Sequence, residues 1–510
     1  MSPNDLRLEI LGTSFTISAD EERSYLEKLL QEYYLKVRDM QKSTGLKDPL
    51  KIAILTGFTL CDELHRVRHN AHATEEEEAL QRTINLFARL DETIGKDKNG
   101  TVQALYFLEN PVKHYEWGSP SWIPRLLRRE NPTGEPWAEL WMGVHPAAPS
   151  MLKNQPPKSL AQLIAADPPC FVGKEAAVNF GGLPFLFKLL AAARPLSIQA
   201  HPSKEQARQG WQRENAQDTP ERNYKDDNHK PEILCALSPF TALCGFRYPK
   251  DIDFLIFTCF AAAPRSLQNG LAPLRAALTD GRGSPLRDFL AGLLGMPKEL
   301  REQLTAYVST EIRNPPEIDG SIWPLVQRLA KLYPEDPGIL APLYLNLIRL
   351  EPGQAIYLPE GILHAYMDGF GVELMANSDN VLRCGLTSKH VDLNELMNVL
   401  YFHPFMPDLL TDRPGAAPAD PVFFSYPSPC KEFSLSVIRN LQGPFPLPGP
   451  AIIVVTAGRL AVSRAEAAGP DSDACWEFEP GGSAFIPPSP EPLILSGDFT
   501  LYAASIPAGR

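Results

Sequence analysis

Leu6, Leu8 and Ile10 alternate with polar residues, LGTS supplies a turn, and Phe15 and Ile17 resume the two-residue period, which predicts a β-hairpin. Ser18 and Glu21 then have capping-box spacing. Leu26, Leu29, Leu30, Tyr33, Val37 and Met40 form one apolar stripe at helical period, so a helix with one sticky face should follow. Residues 48–64, opened by Pro49, are apolar on most sides and predict a helix packed into something else. In TEEEEALQRTINLFARLDETIG, Leu80, Ile84, Phe87, Leu90 and Ile94 recur at intervals of four and three, but about two heptads is short for a coiled coil. GKDKNG, residues 95–100, is polar and glycine-flanked and predicts a linker.

The pattern changes from Ala104. Short strand-like runs such as ALYFLENP are broken by Pro and Gly, and LPFLFKLLAAA reads as a helical stretch followed by the strand PLSIQAH. Between about 248 and 335 the pattern turns helical in LQNGLAPLRAAL, SPLRDFLAGLLG and WPLVQRLAKLY, as expected of an inserted helical lobe. Strands return in LYLNLIRL, QAIYLPEG and GVELMA, and again from 432 to 510 in FSLSVIRN, AIIVVTAGRLAVS and PLILSGDFTLYAAS. Two β-rich units thus flank the helices. The proline-rich connection 404–430 is expected to run over the surface between them.

At 510 residues the chain exceeds the roughly 100–200 residues of one domain, so three or four packed units are expected. No run approaches the roughly 20 apolar residues of a membrane span, and the polar start MSPNDLRLEI is unlike a secretory signal, so a cytoplasmic location is expected. The eight cysteines are scattered with no CxxC pair, which predicts free thiols in a reducing compartment. A formal charge of −12 argues against general affinity for nucleic acid or anionic membrane, because such binding rests on a basic surface. An anionic small substrate therefore needs a local basic pocket.

In SIQAHPSK, Gln199 and His201 are two apart, and on a strand that spacing places both side chains on one face. Glu232 begins a second apolar run in NHKPEILCAL, and His364 follows a Pro-Gly turn in YLPEGILHAYMDG. Each supplies one oxygen or nitrogen donor. A lone His at a strand end is more often a hydrogen-bonded structural residue, so the weight falls on the set.

QAHP at 199–202, NHKPE at 228–232, ILHAY at 362–366 and ELMANSDNVLRCGLTSKH at 373–390 resemble the signature segments of the zinc-dependent type I phosphomannose isomerases, also called mannose-6-phosphate isomerases. YEWGS at 115–119, AELWMGVHP at 138–146 and LPFLFKLL at 183–190 extend the resemblance in order, over about residues 104–510. It implies a mainly β fold with helices: two cupin-like jelly-roll domains, the first at 101–247 and 336–403 and the second at 404–510, with a helical insertion at 248–335. Gln199, His201, Glu232 and His364 correspond to metal ligands, a mixed N/O set that suits one Zn²⁺ while leaving room for water or substrate.

The reaction implied is interconversion of mannose 6-phosphate and fructose 6-phosphate by moving a proton between C1 and C2 through an enediol. It requires a base, an electrophile and cationic anchors for a phosphate. Glu373 is the expected base, with Lys230 competing. Arg383 corresponds to the family's active-site arginine, and Lys188, Ser197 and Lys389 match other substrate-pocket positions. His229 either opens the sugar ring or orients its loop. Trp117, Glu139 and Trp141 are read as shaping the core or supporting the site from behind, outside the catalytic set. A non-catalytic cupin that senses a sugar phosphate and reports to the division machinery is the alternative function, and an iron-dependent cupin oxygenase is disfavoured by the additional Gln.

Residues 5 to about 95 resemble the bacterial cell-division protein ZapA, in LRLEILGTSFTISADEE and DPLKIAILTGFTLCDEL. That resemblance implies a small α+β dimerisation domain over 1–98, a homo-oligomer, and a contact with the tubulin-like division protein FtsZ at the division site. So small a unit has little room for a core of its own, which also favours self-association.

Overall fold

The computed structural model describes residues 5–10, 13–18, 23–44, 56 and 60, and all of 103–507 except 154–157, 218–221, 281–282, 310–319, 413–421, 448, 465–474 and 490. The chain divides into two compact units between Gln103 and Ala104.

In the first unit the expected hairpin forms: Asp5–Ile10 pairs antiparallel with Thr13–Ser18, Leu6 opposite Ile17 and Leu8 opposite Phe15. Helix Arg23–Thr44 follows. Leu26 and Val37 of the apolar stripe are buried, whereas Leu29 is exposed. Thr56 and Leu60 are helical; otherwise the helices expected at 48–64 and 74–95 and the linker at 95–100 lie outside the described residues.

The second unit is mainly β with helices. Its larger sheet has 11 strands among the described residues, ordered Leu410–Thr411, Gln354–Leu358, Glu232–Ala236, His364–Ala376, Phe185–Ala192, Glu139–Gly143 and Val112–Lys113 along its main path. The long strand His364–Ala376 also pairs with Ile198–Ala200 and Phe240–Phe246. A second sheet, of nine strands among the described residues, is built on Leu493–Ser505 paired with Ala451–Arg464. Tyr106–Glu109, early in the chain, joins this sheet by pairing with Ser483–Ile486.

The helices between the strands behave as their periodicity predicts. In Arg265–Thr279 the buried Leu267, Leu271, Leu274 and Leu278 are spaced four, three and four, and Pro285–Leu294 buries Leu286, Phe289, Leu290 and Leu293. These side chains share one core with Ile198 and Ala200, Ala365 and Met367, and Leu382 and Cys384. Because side chains alternate across a strand, packing those residues against helices turns their neighbours Gln199, His364 and Arg383 to the opposite face.

Two expectations are corrected. LPFLFKLLAAA is not helical: Phe185–Ala192 is a strand, buried at every position, between His364–Ala376 and Glu139–Gly143. A central strand covered on both faces needs no alternation, so its apolar run matches that of a buried helix. Nor is the connection 404–430 wholly superficial. Leu410–Thr411 pairs with Gln354–Leu358, Val422–Ser425 pairs with Ser434–Arg439, and buried Tyr426 donates its hydroxyl to the Gly353 carbonyl at 2.8 Å. Extended, proline-rich chain suits short edge strands.

Candidate metal centre and active site

One bend in the long strand sets up the site. Before Gly369 the strand pairs with Phe240–Phe246, and from Gly369 it pairs with Phe185–Ala192. Gly369 has φ +129°, and a Cβ there would stand 2.5 Å from the Phe240 ring, so glycine is required at the corner. Two rungs of side chains result. On one side of the bend His364 lies opposite Gln199, which lies opposite Arg383. On the other, Glu373 lies opposite Lys188, which lies opposite Trp141.

His201, just beyond the strand that carries Gln199, and Glu232, at the start of Glu232–Ala236, complete the first group. One donor atom from each of His201, Glu232 and His364 lies within 4.8 Å of the others, and all three residues are buried. His201 Nδ1 donates to the Asn380 carbonyl at 2.7 Å, and His364 Nδ1 to the Ile362 carbonyl at 3.0 Å. A carbonyl only accepts, so each Nδ1 carries the proton and each Nε2 presents its lone pair. His201 Nε2, His364 Nε2 and Glu232 Oε2 are buried without a hydrogen-bond partner. Three orphaned donors facing one another are costly without a ligand and fit a divalent cation.

The electrostatics agree. Burial, with Lys230, holds the His201 imidazole down to about 4, so it is neutral and able to ligate. Burial alone would raise the Glu232 carboxyl, but the neighbouring Lys230 ammonium outweighs it and holds it well below the usual range. Lys230 Nζ lies 2.7 Å from Glu232 Oε1. Gln199 is half-buried beside this group.

The second group is a buried network. Lys188 Nζ lies 3.0 Å from Glu373 Oε2 and 3.7 Å from Glu139 Oε1. Tyr366 donates its hydroxyl to Glu373 Oε1 at 3.0 Å, and Trp141 Nε1 donates to Glu139 Oε2 at 2.6 Å. Burial would lower the Lys188 ammonium, but the Glu139, Glu373 and Glu232 carboxylates reverse that and keep it charged. Burial raises the Glu373 carboxyl, against the pull of Lys188. Glu139, read from the sequence as outside the catalytic set, thus belongs to this network through Lys188. Its signal was the Glu-x-Trp spacing, which sets both side chains on one face of a strand.

Arg383 and Lys389 line a cleft of about 180 Å³ with Arg222, Asn223, His390 and Asp392. Burial lowers the Arg383 guanidinium; burial and Arg383 lower the exposed Lys389 ammonium. Ser197 is half-buried, two residues before Gln199. His229, next to Lys230 in the chain, lies between Glu360 and Glu432.

Asn380, absent from the sequence-based site, organises the surrounding loop. Its Oδ1 accepts from the backbone N–H groups of Lys225 and Asp226, and its Nδ2 donates to the carbonyls of Asp226 and Asn228. Together with its carbonyl on His201, it fixes both the imidazole and the loop leading to Lys230.

Residues 105–249 match the family model for the phosphomannose isomerase type I catalytic domain, and residues 6–94 match that for cell division protein ZapA. The chain is 35% identical over 398 residues to the mannose-6-phosphate isomerase of Escherichia coli (strain K12), covering 76% of this chain and 96% of that protein. The chain belongs to the type I phosphomannose isomerase family. Its bovine relative of the same name, from Bos taurus, is 33% identical over 414 residues, covering 76% of this chain and 94% of that protein. Among solved family structures, mannose 6-phosphate isomerase from Salmonella typhimurium bound to its substrate and zinc superposes with TM-score 0.69 and 33% identity, covering 80% of this chain and 100% of that one.

Proposed function

We propose that the chain is a zinc-dependent mannose-6-phosphate isomerase in which Gln199, His201, Glu232 and His364 hold the ion. The observation that carries this is the convergence of three buried, partnerless donor atoms, His201 Nε2, His364 Nε2 and Glu232 Oε2. When bound, zinc supplies a Lewis acid for a sugar oxygen.

The chain's own groups supply the rest. Glu373 is the proton-transfer base: burial raises its carboxyl above the usual range, and both oxygens are held, one by Tyr366 and one by Lys188. Lys188 keeps positive charge beside the anion that develops at C1–C2, and Lys230 is the competing proton carrier. Arg383, Lys389 and Ser197 bind the substrate, the two cations serving its phosphate.

The decisive experiment assays mannose 6-phosphate turnover by chelated and zinc-restored protein. Activity lost on chelation, restored by zinc and absent in Glu232→Gln is expected; full turnover after complete metal removal contradicts the assignment.

The mainly β fold is in keeping with two cupin-like jelly rolls, at 101–247 with 336–403 and at 404–510, and a helical insertion at 248–335, except that Tyr106–Glu109 joins the sheet of the second and Leu410–Thr411 that of the first. The ZapA match supports a dimerisation domain at 1–98 that makes the protein a homo-oligomer and presents it to FtsZ at the division site in the cytoplasm. Deleting residues 1–98 should yield a monomer by light scattering; a monomeric full-length protein contradicts this part alone.

A further inference from the structure

We propose that His229 is a positioning residue of the isomerase, a doubly protonated imidazole clasped by Glu360 and Glu432, which locks the Lys230 loop to the C-terminal sheet and takes no proton from the sugar. This rests on the isomerase reading above.

His229 Nδ1 lies 2.5 Å from Glu360 Oε1, and His229 Nε2 lies 2.8 Å from Glu432 Oε1. An ionised carboxylate only accepts hydrogen bonds, so both ring nitrogens must donate. An imidazole with both nitrogens protonated has no lone pair left to act as a base. The surroundings hold it in that state: burial would lower its pKa, but the two carboxylates raise it to about 9, while Glu432 falls to about 2.

The three partners come from separate parts of the chain. His229 immediately precedes Lys230, whose ammonium lies 2.7 Å from Glu232. Glu360 belongs to the turn before His364, and the next residue, Gly361, donates its N–H to the His201 carbonyl at 2.8 Å. Glu432 opens the approach to Ser434–Arg439 of the nine-stranded sheet, and its other oxygen accepts from Cys430 Sγ at 3.1 Å. One cation therefore draws together the Lys230 loop, the His364 turn and the second sheet. Without it, two carboxylates would face each other across the gap.

The test compares full-length, zinc-loaded wild type with His229→Asn, Glu432→Gln and the double variant, measuring kcat and KM for mannose 6-phosphate and enzyme-catalysed exchange between its anomers. Each single change should lower kcat about 10–100-fold, as loss of a supporting hydrogen bond does at metal sites, with KM little changed. The double variant should be no slower than the slower single one, because both break the same clasp. Full kcat in Glu432→Gln, or losses that multiply in the double variant, would overturn the proposal. So would anomer exchange lost in His229→Asn but kept in Glu432→Gln, which assigns His229 to ring opening. If the wild type itself fails to turn over the sugar, the isomerase reading falls, and the clasp is read from the ring ¹⁵N resonances of His229. Both nitrogens protonated at pH 7 supports it; a neutral ring overturns it.

Discussion

Lys188 and Glu373 sit opposite each other on adjacent strands, buried, with Nζ 3.0 Å from Oε2. Lys188 is the nearest cation holding Glu373 down against burial. Lys188→Met should therefore raise the Glu373 pKa further and move the acid limb of the kcat/KM profile to higher pH, since the base must be ionised to accept a proton. Stability should fall by about 3–5 kcal/mol, the usual cost of leaving a buried charge without its partner. An unmoved acid limb would count against Glu373 as the base.

Arg383 and Lys389 share the cleft but differ in exposure, Lys389 lying at its open edge. Lys389→Ala should raise KM about tenfold and leave kcat nearly intact, as loss of one point charge does. Arg383→Lys should lose more than a like-charged replacement suggests, because an ammonium cannot reproduce a two-pronged hold on phosphate. Inorganic phosphate should inhibit competitively, and less so in both variants. Equal inhibition constants in all three proteins would place the phosphate elsewhere.

Asn380→Ala should destabilise the protein by about 2–4 kcal/mol, because it strips partners from backbone groups of Lys225, Asp226 and Asn228, each worth about 1 kcal/mol or more. Zinc affinity should fall with it, since the same residue's carbonyl orients His201. Denaturant titration and metal competition measure the two effects; unaltered values for both would refute the role.

The His229 clasp makes a pH prediction of its own. A histidine raised from 6.5 to about 9 adds stability that is complete below pH 6.5 and lost as pH climbs through 9. A carboxyl lowered from 4.5 to about 2 adds stability that is complete above pH 4.5 and lost as pH drops through 2. Both act fully between those ordinary values. The difference in Tm between wild type and His229→Gln should peak near pH 4.5–6.5 and shrink towards pH 9; a constant difference would contradict the charged clasp.

Local pattern revealed the hairpin, the helical lobe and the late strands, because each half-exposed element displays its period. It failed at Phe185–Ala192, where burial on both faces erased the alternation. His201, Glu232 and His364 were legible as a set only through their motifs, since donors that meet in space can lie far apart along the chain. Glu139 and Asn380 were missed for a related reason. Glu139 reaches the site by sharing Lys188 across strands, and Asn380 works largely through backbone contacts, neither of which leaves a spacing to read.

The pairing of Tyr106–Glu109 with Ser483–Ile486 has a consequence for synthesis. Phe107 leaves the ribosome long before its neighbour Ala484 exists, so this strand, which pairs early with Met151–Leu152 on one side, must keep its other edge open for almost the whole polypeptide. A truncated nascent product would keep a sticky edge and become a substrate for chaperones or proteases, which makes full-length translation a checkpoint for a finished enzyme.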